Sequence, residues 1–494
     1  MKRARSLQTR DEARPTKKAK KPKAEKRGRS DNVLGRAAKR AKKSKAKRCQ
    51  SDDAHVRMIQ VQAERRQSDA HVRLTQGPGE RPENASDAFK EALKEANVKL
   101  ESMKCHTLVP RLGLRTRKSK GAPEVLTMGS DCSGLGTERY ALRLAGIKVS
   151  SKFASEINPR VADLYRKIHE TSNDFIHRDV RKSPNRLHGS DYHVPVDLYV
   201  AGPPCQAWSS MGKRQGLADL KGRGIVFFDC LEYVRNSRPK VVVFENVIGL
   251  KKHFAMEFLD ILTILKDQCH YDVTWEVINS KDYGVPQSRQ RVYIVAIANE
   301  CLEHKFSFPK KLRTWPSIEK FLDDDILKVK PLPPPLSEIA NRNINTQTEK
   351  LKKAGLNVDR QTCRIDVHAS SKFSQATVGS SPCIIATRGM QGGFYITNRQ
   401  RMTNIKELGR LQGWPTTCVE RMLRSDVAQK HVGHAIGNGM TVNVVLRLLP
   451  RALYSAGLLA NKPQDKWKHA DSTSNSENSK YKTLPDDMHK QQKL

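Results

Sequence analysis

A thiol, a carboxyl group and two guanidinium groups occupy positions from which they could act on one substrate. Cys205 follows two prolines at the end of a short apolar run, and Glu245 directly follows another such run. Arg289 and Arg291 stand at the start of a third run. A thiol can act as a nucleophile, a carboxyl group can move a proton, and paired guanidinium groups can hold a base carbonyl or phosphates. These residue types favour covalent catalysis on a polar substrate.

Apolar runs of strand length alternate with helical segments from about residue 124 to residue 459, which predicts an α/β domain with a largely parallel sheet. Ligands bind at the carboxyl edge of such sheets, so Cys205 and Glu245 are expected to face one cleft. Alternation along a strand places Arg289 and Arg291 on the same face. The predicted strands are residues 123–129, 149–153, 196–201, 240–244, 272–278 and 291–297.

A glycine-containing turn precedes these residues in the chain. It spans Asp131 to Gly136, between a predicted strand and a predicted helix at residues 137–145. Glu156 lies twenty residues beyond Gly136, where a carboxylate reaches ribose hydroxyls in nucleotide-type sites. The turn therefore indicates a nucleotide-like ligand, whereas the turn alone is equally typical of an ordinary strand-to-helix connection.

The charge of the chain points to nucleic acid. Its 494 residues include 90 Lys and Arg against 52 Asp and Glu, a formal net charge of +38. Residues 1–50 hold 21 of the basic and 4 of the acidic residues, and the remaining chain keeps a charge of +21. Basic runs at 17–23 and 39–48 predict nuclear import signals, DNA-binding arms or both, with a solubilising tail as the alternative. We therefore expect the protein in the nucleus.

Several classes of protein are disfavoured. No apolar run approaches the ~18–20 residues that cross a bilayer, and no apolar segment of signal-peptide type follows the basic start, so neither a membrane protein nor a secreted one is expected. The ten cysteines form no Cys-x-x-Cys pair, which argues against a disulfide scaffold and a structural zinc site. We predict reduced thiols and no metal.

Six segments are predicted along the chain. A disordered basic arm (1–50) and a linker with a short helix (51–123) precede the catalytic domain (124–298). The region 299–400 is loop-rich, 401–459 completes the catalytic domain, and 460–494 is a disordered polar tail. The short helix carries its apolar residues three and four positions apart, at Phe89, Leu93, Ala96 and Leu100, and is expected to pack on the body.

Taken together and in order, the motifs closely resemble those of the DNA (cytosine-5)-methyltransferase family over roughly residues 124–455. The resemblance rests on the turn Asp131 to Gly136, Glu156, Asp179-Val180, Pro204-Cys205-Gln206, Arg223-Gly224, Glu245-Asn246-Val247, Gln287-x-Arg289-x-Arg291, Arg401 through Pro415, and Gly437-Asn438-Gly439. It implies a Rossmann-like S-adenosylmethionine-dependent methyltransferase sheet, with a small target-recognition domain at 299–400. It also implies double-stranded DNA as the partner.

The resemblance assigns a role to each catalytic residue. Cys205 would add to C6 of cytosine so that C5 attacks the methyl group of S-adenosylmethionine, with Glu245 at N3. Arg291 would contact the base carbonyl and Arg289 would support the site. The base would have to be flipped out of the duplex.

The resemblance also assigns cofactor and substrate contacts. Glu156 would bind the ribose, and Asp179 and Val180 would lie at the adenine. The full predicted cofactor set is Asp131, Cys132, Ser133, Gly134, Leu135, Gly136, Glu156, Asp179, Val180, Pro203 and Asn438, and the predicted substrate set is Gln206, Ser209 and Asn246. The family usually has Phe near the adenine, where this chain reads Cys132-Ser133, so weaker adenine packing is expected.

Two other functions fit the same motifs. A related subfamily methylates tRNA, and the basic arm suits RNA almost as well as DNA, but the Cys-Phe-Thr tripeptide of that subfamily is absent from the recognition region. A chromatin-bound module with little turnover is the second alternative, against which the intact Cys205, Glu245 and Arg291 argue. Any chromatin partner is unidentified by the sequence.

Overall fold

The structure is a computed structural model that describes residues 94, 96–100, 122–171, 176–180, 194–209, 214–323 and 336–465. The chain divides into two units, Met1–Gly77 and Pro78–Leu494, and every described residue belongs to the second. The predicted basic arm and most of the predicted polar tail lie outside the described residues. The first residues of that tail are described as far as Asp465, whose carboxylate pairs with Arg447 at 2.7 Å.

A seven-stranded sheet forms the centre of the molecule, in the order β3-β2-β1-β4-β5-β7-β6. Strands β1 to β5 run parallel to one another, whereas β7 runs antiparallel to both β5 and β6. The predicted largely parallel α/β sheet is therefore confirmed. Its strands are β1 Leu126–Asp131, β2 Val149–Ser155, β3 Ile176–His177, β4 Leu198–Ala201, β5 Val241–Val247, β6 Tyr271–Asn279 and β7 Gln290–Ala298.

The strand ends differ from the predicted ones by up to three residues. The first strand begins at Leu126 instead of 123, because residues 122–125 form no ladder with β2. Strand β5 continues through Glu245 to Val247, because all three of these residues pair with β7. Glu245, which was predicted to lie just beyond the strand, thus lies within β5, where pairing with β7 holds its backbone.

Helices cover both faces of the sheet. Residues alternate along β5, so that Val242 and Phe244 pack in the cluster containing α3, while Val241 and Val243 pack in the cluster containing α11. The helices are α1 Thr137–Leu144, α2 Pro159–His169, α3 Val226–Ser237, α4 Ile248–His253, α5 Ala255–Thr263, α6 Glu338–Lys353, α7 Ala386–Met390, α8 Ile405–Leu411, α9 Thr416–Leu423, α10 Gln429–Asn438 and α11 Val442–Ser455. Short 3-10 turns occur at Gly216–Ala218, Ser280–Tyr283, Asn299–Cys301, Ile318–Phe321 and Thr397–Arg399, and a π turn occurs at Ile264–Gln268.

The short helix predicted before the catalytic domain is helical at residues 94 and 96–100. Ala96 and Leu100 are buried in the cluster that contains α3, and Lys99 forms ion pairs with Asp229 and Glu232 of that helix. The predicted packing of this helix on the body is confirmed at these positions. Phe89 and Leu93 lie outside the described residues.

A second, four-stranded antiparallel sheet lies within the region predicted as the recognition domain and just after it. Its order is β11-β10-β8-β9, and α6 packs on it through Ala340 against Ile365 and Val367. Its strands are β8 Cys363–Ile365, β9 Ala376–Val378, β10 Tyr395–Ile396 and β11 Arg401–Met402. No helix among the described residues is long and apolar enough to cross a membrane.

Candidate active site

The predicted nucleophile lies in the loop that leaves β4. Cys205 is partly exposed, four residues beyond the end of that strand, and its carbonyl accepts a hydrogen bond from the Trp208 amide at 3.1 Å. Burial raises the pKa of the Cys205 thiol and Glu245 raises it further, while Arg291 and Arg289 lower it. The thiol therefore shares one electrostatic environment with the three charged groups that the sequence grouped with it.

The predicted acid faces one of the predicted arginines across two paired strands. Glu245 on β5 lies 3.3 Å from Arg291 on β7, between Oε1 and Nε, and the two side chains are only 12% and 13% exposed. The contact is an ion pair without a hydrogen bond, because no described residue donates a hydrogen bond to Oε1. A Cβ at Gly202 would lie 4.0 Å from Oε2 of Glu245, so the carboxyl group adjoins the loop that carries the thiol. The site thus presents a buried acceptor beside a nucleophile.

Arg289 is buried and holds together the chain segments around the site. Its side chain is 2% exposed and donates to the carbonyls of Ile384 at 2.9 Å, Gly437 at 3.2 Å and Gly439 at 2.8 Å. These carbonyls belong to two later segments of the chain, so one guanidinium group fastens both to the start of β7. The supporting role of Arg289 in catalysis stays a prediction.

A pair of buried glutamines completes this attachment. Gln287 donates to the Leu411 carbonyl at 2.9 Å and to Oε1 of Gln412 at 2.6 Å, while Gln412 donates to the Gly439 carbonyl at 2.7 Å. Both side chains are fully buried, and each amide has partners that leave it satisfied. The late Gly437 to Gly439 motif is therefore held against the arginine loop by both Arg289 and the glutamines.

Sequence reasoning missed two residues of this site. Cys383 contacts both arginines, with its Sγ 3.5 Å from Nη1 of Arg289 and 3.8 Å from Nη2 of Arg291. Arg223, held by Asp219 through Nε at 2.9 Å, lies within electrostatic range of Cys205. Arg223 was present in the Arg-Gly motif and could have been included, whereas nothing in the local sequence marks Cys383.

The glycine turn after β1 bends through three left-handed residues, Cys132 (φ 51°), Gly134 (φ 56°) and Gly136 (φ 67°). The two glycines serve different needs. A Cβ at Gly134 would meet no atom within 4 Å, whereas one at Gly136 would collide with His169 and Tyr165. Gly134 therefore leaves open space beside the turn, and Gly136 allows the start of α1 to pack on α2.

Several side chains predicted to bind the cofactor are directed into the protein. The carboxylate of Asp131 accepts from the Ser155 hydroxyl at 2.7 Å and from the Tyr199 hydroxyl at 2.6 Å, which ties β1 to β2 and β4. Ser133 is buried beside Ser130, with 2.6 Å between the hydroxyl oxygens, and the side chain of Leu135 is in the core. These three residues shape the turn, and only their backbone remains for contact with a ligand.

Cys132 lies within hydrogen-bonding distance of a second free thiol, that of Cys230. A hydrogen bond with Cys230 and burial together raise the pKa of the Cys132 thiol well above its usual value. Cys132 also packs against the core cluster that contains Cys230. The side chain that stands near the position where the family usually has Phe is therefore turned towards α3.

Glu156 and the residues after β3 lie beside the turn. Oε2 of Glu156 accepts from the Gly134 amide at 3.0 Å and Oε1 from the Asn158 amide at 2.9 Å, while burial raises the pKa of this carboxyl group. The Glu156 amide donates to the His177 carbonyl at 2.9 Å, which brings the end of β2 against the end of β3 and thus near Asp179 and Val180. Val180 itself is buried, and Asp179 is partly exposed.

The late motif reaches the same turn from the other side. Asn438 is exposed at the last position of α10, and the Thr137 hydroxyl lies 3.5 Å from the Met440 carbonyl. The structure thus brings Asn438 near the start of α1. An open glycine, two carboxyl groups and an exposed amide suit a ligand with hydroxyl groups and positive charge, so the residues present fit an S-adenosylmethionine-type cofactor.

The loop after Cys205 is anchored at Trp208 and open at Gln206. Trp208 is fully buried and packs edge-on against Phe254 with 5.1 Å between ring centroids, whereas Gln206 is exposed. Ser209 is partly exposed, and residues 210–213 lie outside the described residues. Asn246, predicted to contact the substrate, is instead 1% exposed and donates to the Pro203 carbonyl at 3.2 Å. Its amide holds the buried Pro203 and so positions the thiol loop.

The eight cysteines in the described part of the chain are all free thiols. In the same residues no group of three or more His, Cys, Asp or Glu side chains is placed to hold a metal ion.

Comparison with known proteins gives one family. The family model described as C-5 cytosine-specific DNA methylase matches residues 126–452. Among curated proteins, the chain is 33% identical over 187 residues to the type II methyltransferase M.NgoPII of Neisseria gonorrhoeae, covering 38% of this chain and 51% of that protein. It is 27% identical over 265 residues to M.HhaI of Haemophilus parahaemolyticus, covering 50% and 73%. It is 42% identical over 184 residues to M.HpaII of Haemophilus parainfluenzae, covering 36% and 48%.

The chain therefore spans from about half to about three quarters of the length of these three relatives. Among solved structures, the Dnmt2 methyltransferase of S. pombe aligns with 67% of this chain and 98% of its own, at 21% identity and a TM-score of 0.46.

Proposed function

Because the chain belongs to the C-5 cytosine-specific DNA methylase family, we propose that it transfers a methyl group from S-adenosylmethionine to C5 of cytosine in double-stranded DNA. The observation that supports this most directly is the meeting of Cys205, Glu245 and Arg291 at one sheet edge, with a buried Glu245 oxygen that has no donor among the described residues. Cytosine offers a ring carbon to a thiolate and nitrogen-bound hydrogens to such an acceptor.

Cys205 would form a bond from sulfur to C6 of the cytosine, and the displaced electron pair would move onto the ring. Glu245 would share a proton with N3, and the Arg291 guanidinium would hold O2, so both groups stabilise the charge that develops. The cofactor, when bound, would supply an electrophilic methyl group for attack by C5, and the sulfur–methyl bond would break with its electron pair left on the departing thioether. Loss of the C5 proton to a base then restores the C5–C6 double bond as the carbon–sulfur bond breaks.

The protonation of the thiol sets a condition on this chemistry. Burial raises the pKa of Cys205, so the free enzyme holds it mainly as a thiol at neutral pH, and the thiolate is the nucleophile. Arg291 and Arg289 act in the opposite direction. We expect the rate of adduct formation to rise with pH until the thiol is ionised.

The burial of the site supports base flipping. Glu245 and Arg291 are nearly enclosed, and C5 and C6 of a stacked cytosine cannot approach side chains at that depth. A flipped base would enter beside the loop at Gln206 and Ser209. The enzyme would hold the unstacked base through Glu245 and Arg291.

Trapping with a modified base tests the covalent step. Duplex DNA carrying 5-fluorocytosine has no C5 proton to lose, so with S-adenosylmethionine the enzyme should form an adduct that survives denaturing electrophoresis. Cys205→Ser should abolish the adduct, and Cys301→Ser, a partly exposed thiol beyond the far end of β7, should leave it unchanged. Wild-type protein that binds both ligands without cross-linking would rule out the mechanism.

The substrate and the compartment need separate tests. Methyl transfer to duplex DNA should exceed transfer to tRNA by a wide margin, and the reverse result would establish the tRNA alternative. We also propose that the basic arm directs the protein to the nucleus, because its two basic runs have the composition of import signals. A fluorescent fusion that lacks residues 1–50 should then lose nuclear accumulation.

A further inference from the structure

A second thiol stands inside the proposed active site. Cys383 comes from the segment between β9 and α7, and its Sγ lies 3.5 Å from Nη1 of Arg289 and 3.8 Å from Nη2 of Arg291. One sulfur atom thus contacts both guanidinium groups of the Arg-x-Arg motif. Neither the sequence motifs nor the role proposed for Cys205 accounts for it.

The backbone around Cys383 is fixed on the arginine loop. The Ser381 amide donates to the Pro286 carbonyl at 2.7 Å, and the Ser288 amide donates to the Ser381 carbonyl at 2.8 Å. The Ile384 amide then donates to Oε1 of Gln287 at 3.0 Å. Hydrogen bonds on both sides of Cys383 therefore hold its backbone beside the arginine loop, from which its sulfur contacts both arginines.

The charges of the site explain what a sulfur atom can do there. Two buried guanidinium groups lie close together, and Glu245 pairs with only one of them, Arg291. The hydrogen bonds of Arg289 to protein go to neutral backbone carbonyls and to Cys383. Buried charge is costly without a counter-charge, so a second anion is favoured between the two arginines.

The same two arginines lower the pKa of both thiols of the site, but the net shift differs between the thiols. Burial alone would raise the pKa of Cys383, but Arg291 and Arg289 outweigh it and hold the pKa below its usual value. For Cys205 burial prevails and the pKa is raised. The same surroundings therefore favour the thiolate of Cys383 more than the thiolate of Cys205.

We propose that Cys383 is a positioning residue for the methyl transfer proposed above. Its sulfur serves as the second counter-charge of the arginine pair and holds Arg291 facing Glu245, where a cytosine carbonyl would bind. With two anions matched to two guanidinium groups, a neutral base enters without leaving a buried charge unpaired. The inference rests on the proposed function for its catalytic consequence, but not for its electrostatic one.

The electrostatic part is tested without turnover. In a Cys205→Ser background, carbamidomethylation of Cys383 by iodoacetamide is followed by mass spectrometry as a function of pH. The midpoint should lie below that of an ordinary thiol, about pH 8.5, and Arg291→Met should move it upward by about one unit or more. A midpoint at or above the ordinary value, unmoved by Arg291→Met, overturns the proposal even if the enzyme never methylates DNA.

The catalytic part uses Cys383→Ala and Cys383→Ser, with Cys301→Ala as the matched thiol control. We expect kcat to fall about 10- to 100-fold, as for the loss of a hydrogen bond to a charged group, with the Kd of S-adenosylmethionine changed less than twofold. The ascending limb of kcat/KM against pH should move to lower pH, because the arginines would then stabilise the Cys205 thiolate alone.

The outcomes separate the two proposals. Wild-type protein without methyl transfer contradicts the proposed function, and the alkylation midpoint then still decides the role of Cys383. Active wild-type protein with Cys383 variants equal to it in kcat and pH profile contradicts only the inference made here. A lower kcat with an unmoved pH limb shows a structural role and also overturns it. If Cys383→Ala fails to fold, Cys383→Ser supplies the same readouts.

Discussion

The two halves of the sheet edge present different charged groups. Beyond β2 and β3 the edge presents the carboxyl groups of Glu156 and Asp179, and Glu156 accepts hydrogen bonds from two backbone amides. Beyond β4, β5 and at the start of β7 the edge presents Cys205 with Arg289 and Arg291. One sheet edge thus has an acidic half, where Glu156 and Asp179 lie, and a basic half, where Arg289 and Arg291 lie.

The difference between the two halves indicates which chemical groups of a ligand each half would bind. The acidic half suits hydroxyl groups and a sulfonium or ammonium cation, and Glu156 there is held by uncharged backbone amides. The basic half suits a carbonyl that gains negative charge, and there the acid Glu245 pairs with the charged Arg291. Substitutions in the basic half should therefore change turnover, whereas those in the acidic half should change cofactor binding or stability.

The largest effect is expected at the acid of the basic half. Glu245→Gln keeps the shape of the side chain but removes the negative charge beside Arg291, and kcat should fall by roughly 10²–10⁴-fold, the usual contribution of a general acid or base. The Kd of S-adenosylmethionine, measured by calorimetry, should change less than twofold. A loss of cofactor affinity as large as the loss of kcat would erase the distinction between the two halves.

The second effect concerns the stability of the acidic half. In Gly136→Ala the new Cβ would collide with Tyr165 and His169 at a left-handed residue, and we expect a loss of about 2–4 kcal/mol in the free energy of unfolding. Gly134→Ala is the matched control, because its φ is also positive but its Cβ meets open space. It should lose only about 1–2 kcal/mol. Equal losses in urea titrations would mean that packing at Gly136 contributes little.

The third effect is a dependence of stability on pH. Glu138 is buried in the first turn of α1, and burial raises the pKa of its carboxyl group to about 7. Because the folded pKa exceeds the unfolded one, the stability from this group is complete at low pH and is lost as the pH rises towards 7. Over the range from pH 5 to pH 8 the loss should be about 2 kcal/mol.

Glu138→Gln should remove this dependence, as followed by thermal unfolding across that pH range. The exposed Glu124→Gln is the control and should unfold with the wild-type profile. A Glu138→Gln curve that still declines with pH would assign the decline to another group.

The smallest effect is expected at Glu156. Glu156→Gln keeps one acceptor for a backbone amide but removes the negative charge, and the Kd of S-adenosylmethionine should rise about tenfold, equivalent to one hydrogen bond to a charged group. Asp163→Asn, an exposed change on α2, should leave the Kd unaltered. If Glu156→Gln lowers kcat without affecting cofactor binding, then the acidic half takes part in the chemistry as well.

The sequence was sufficient for the parts of the site that follow strand ends. An apolar run followed by a cysteine or a carboxyl group predicts its own position, because parallel strands deliver their last residues to one edge. Cys205 and Glu245 were found in this way, and the common side of Arg289 and Arg291 follows from a period of two along a strand. Both arginines do contact one atom, Sγ of Cys383.

The direction of each side chain at that edge was beyond such reasoning. Asn246 belongs to the same motif as Glu245, but it points beneath the loop and holds Pro203. Asp131 likewise ends its strand, yet it is bonded within the sheet. A motif gives the position along the chain, whereas the direction depends on which neighbours fill the space on each side.

Cys383 could not be found because no local pattern marks it. It stands 94 and 92 positions along the chain from the two arginines that it contacts, in a segment joined to them by the isolated bridge between Gln287 and Ser381. Contacts of this range depend on how the intervening region folds, and neither periodicity nor composition encodes them.

The bridge between Gln287 and Ser381 has a consequence for engineering. It fastens the segment that leads out of the small sheet onto the arginine loop. Exchange of the whole predicted recognition region, residues 299–400, would therefore also replace the segment that contacts both arginines. A chimaera whose downstream junction precedes Ser381 would keep the native segment that contacts the two arginines. A junction placed a few residues later would replace the segment that contacts the two arginines with one from another protein. Such a hybrid should bind its new DNA target but methylate it slowly.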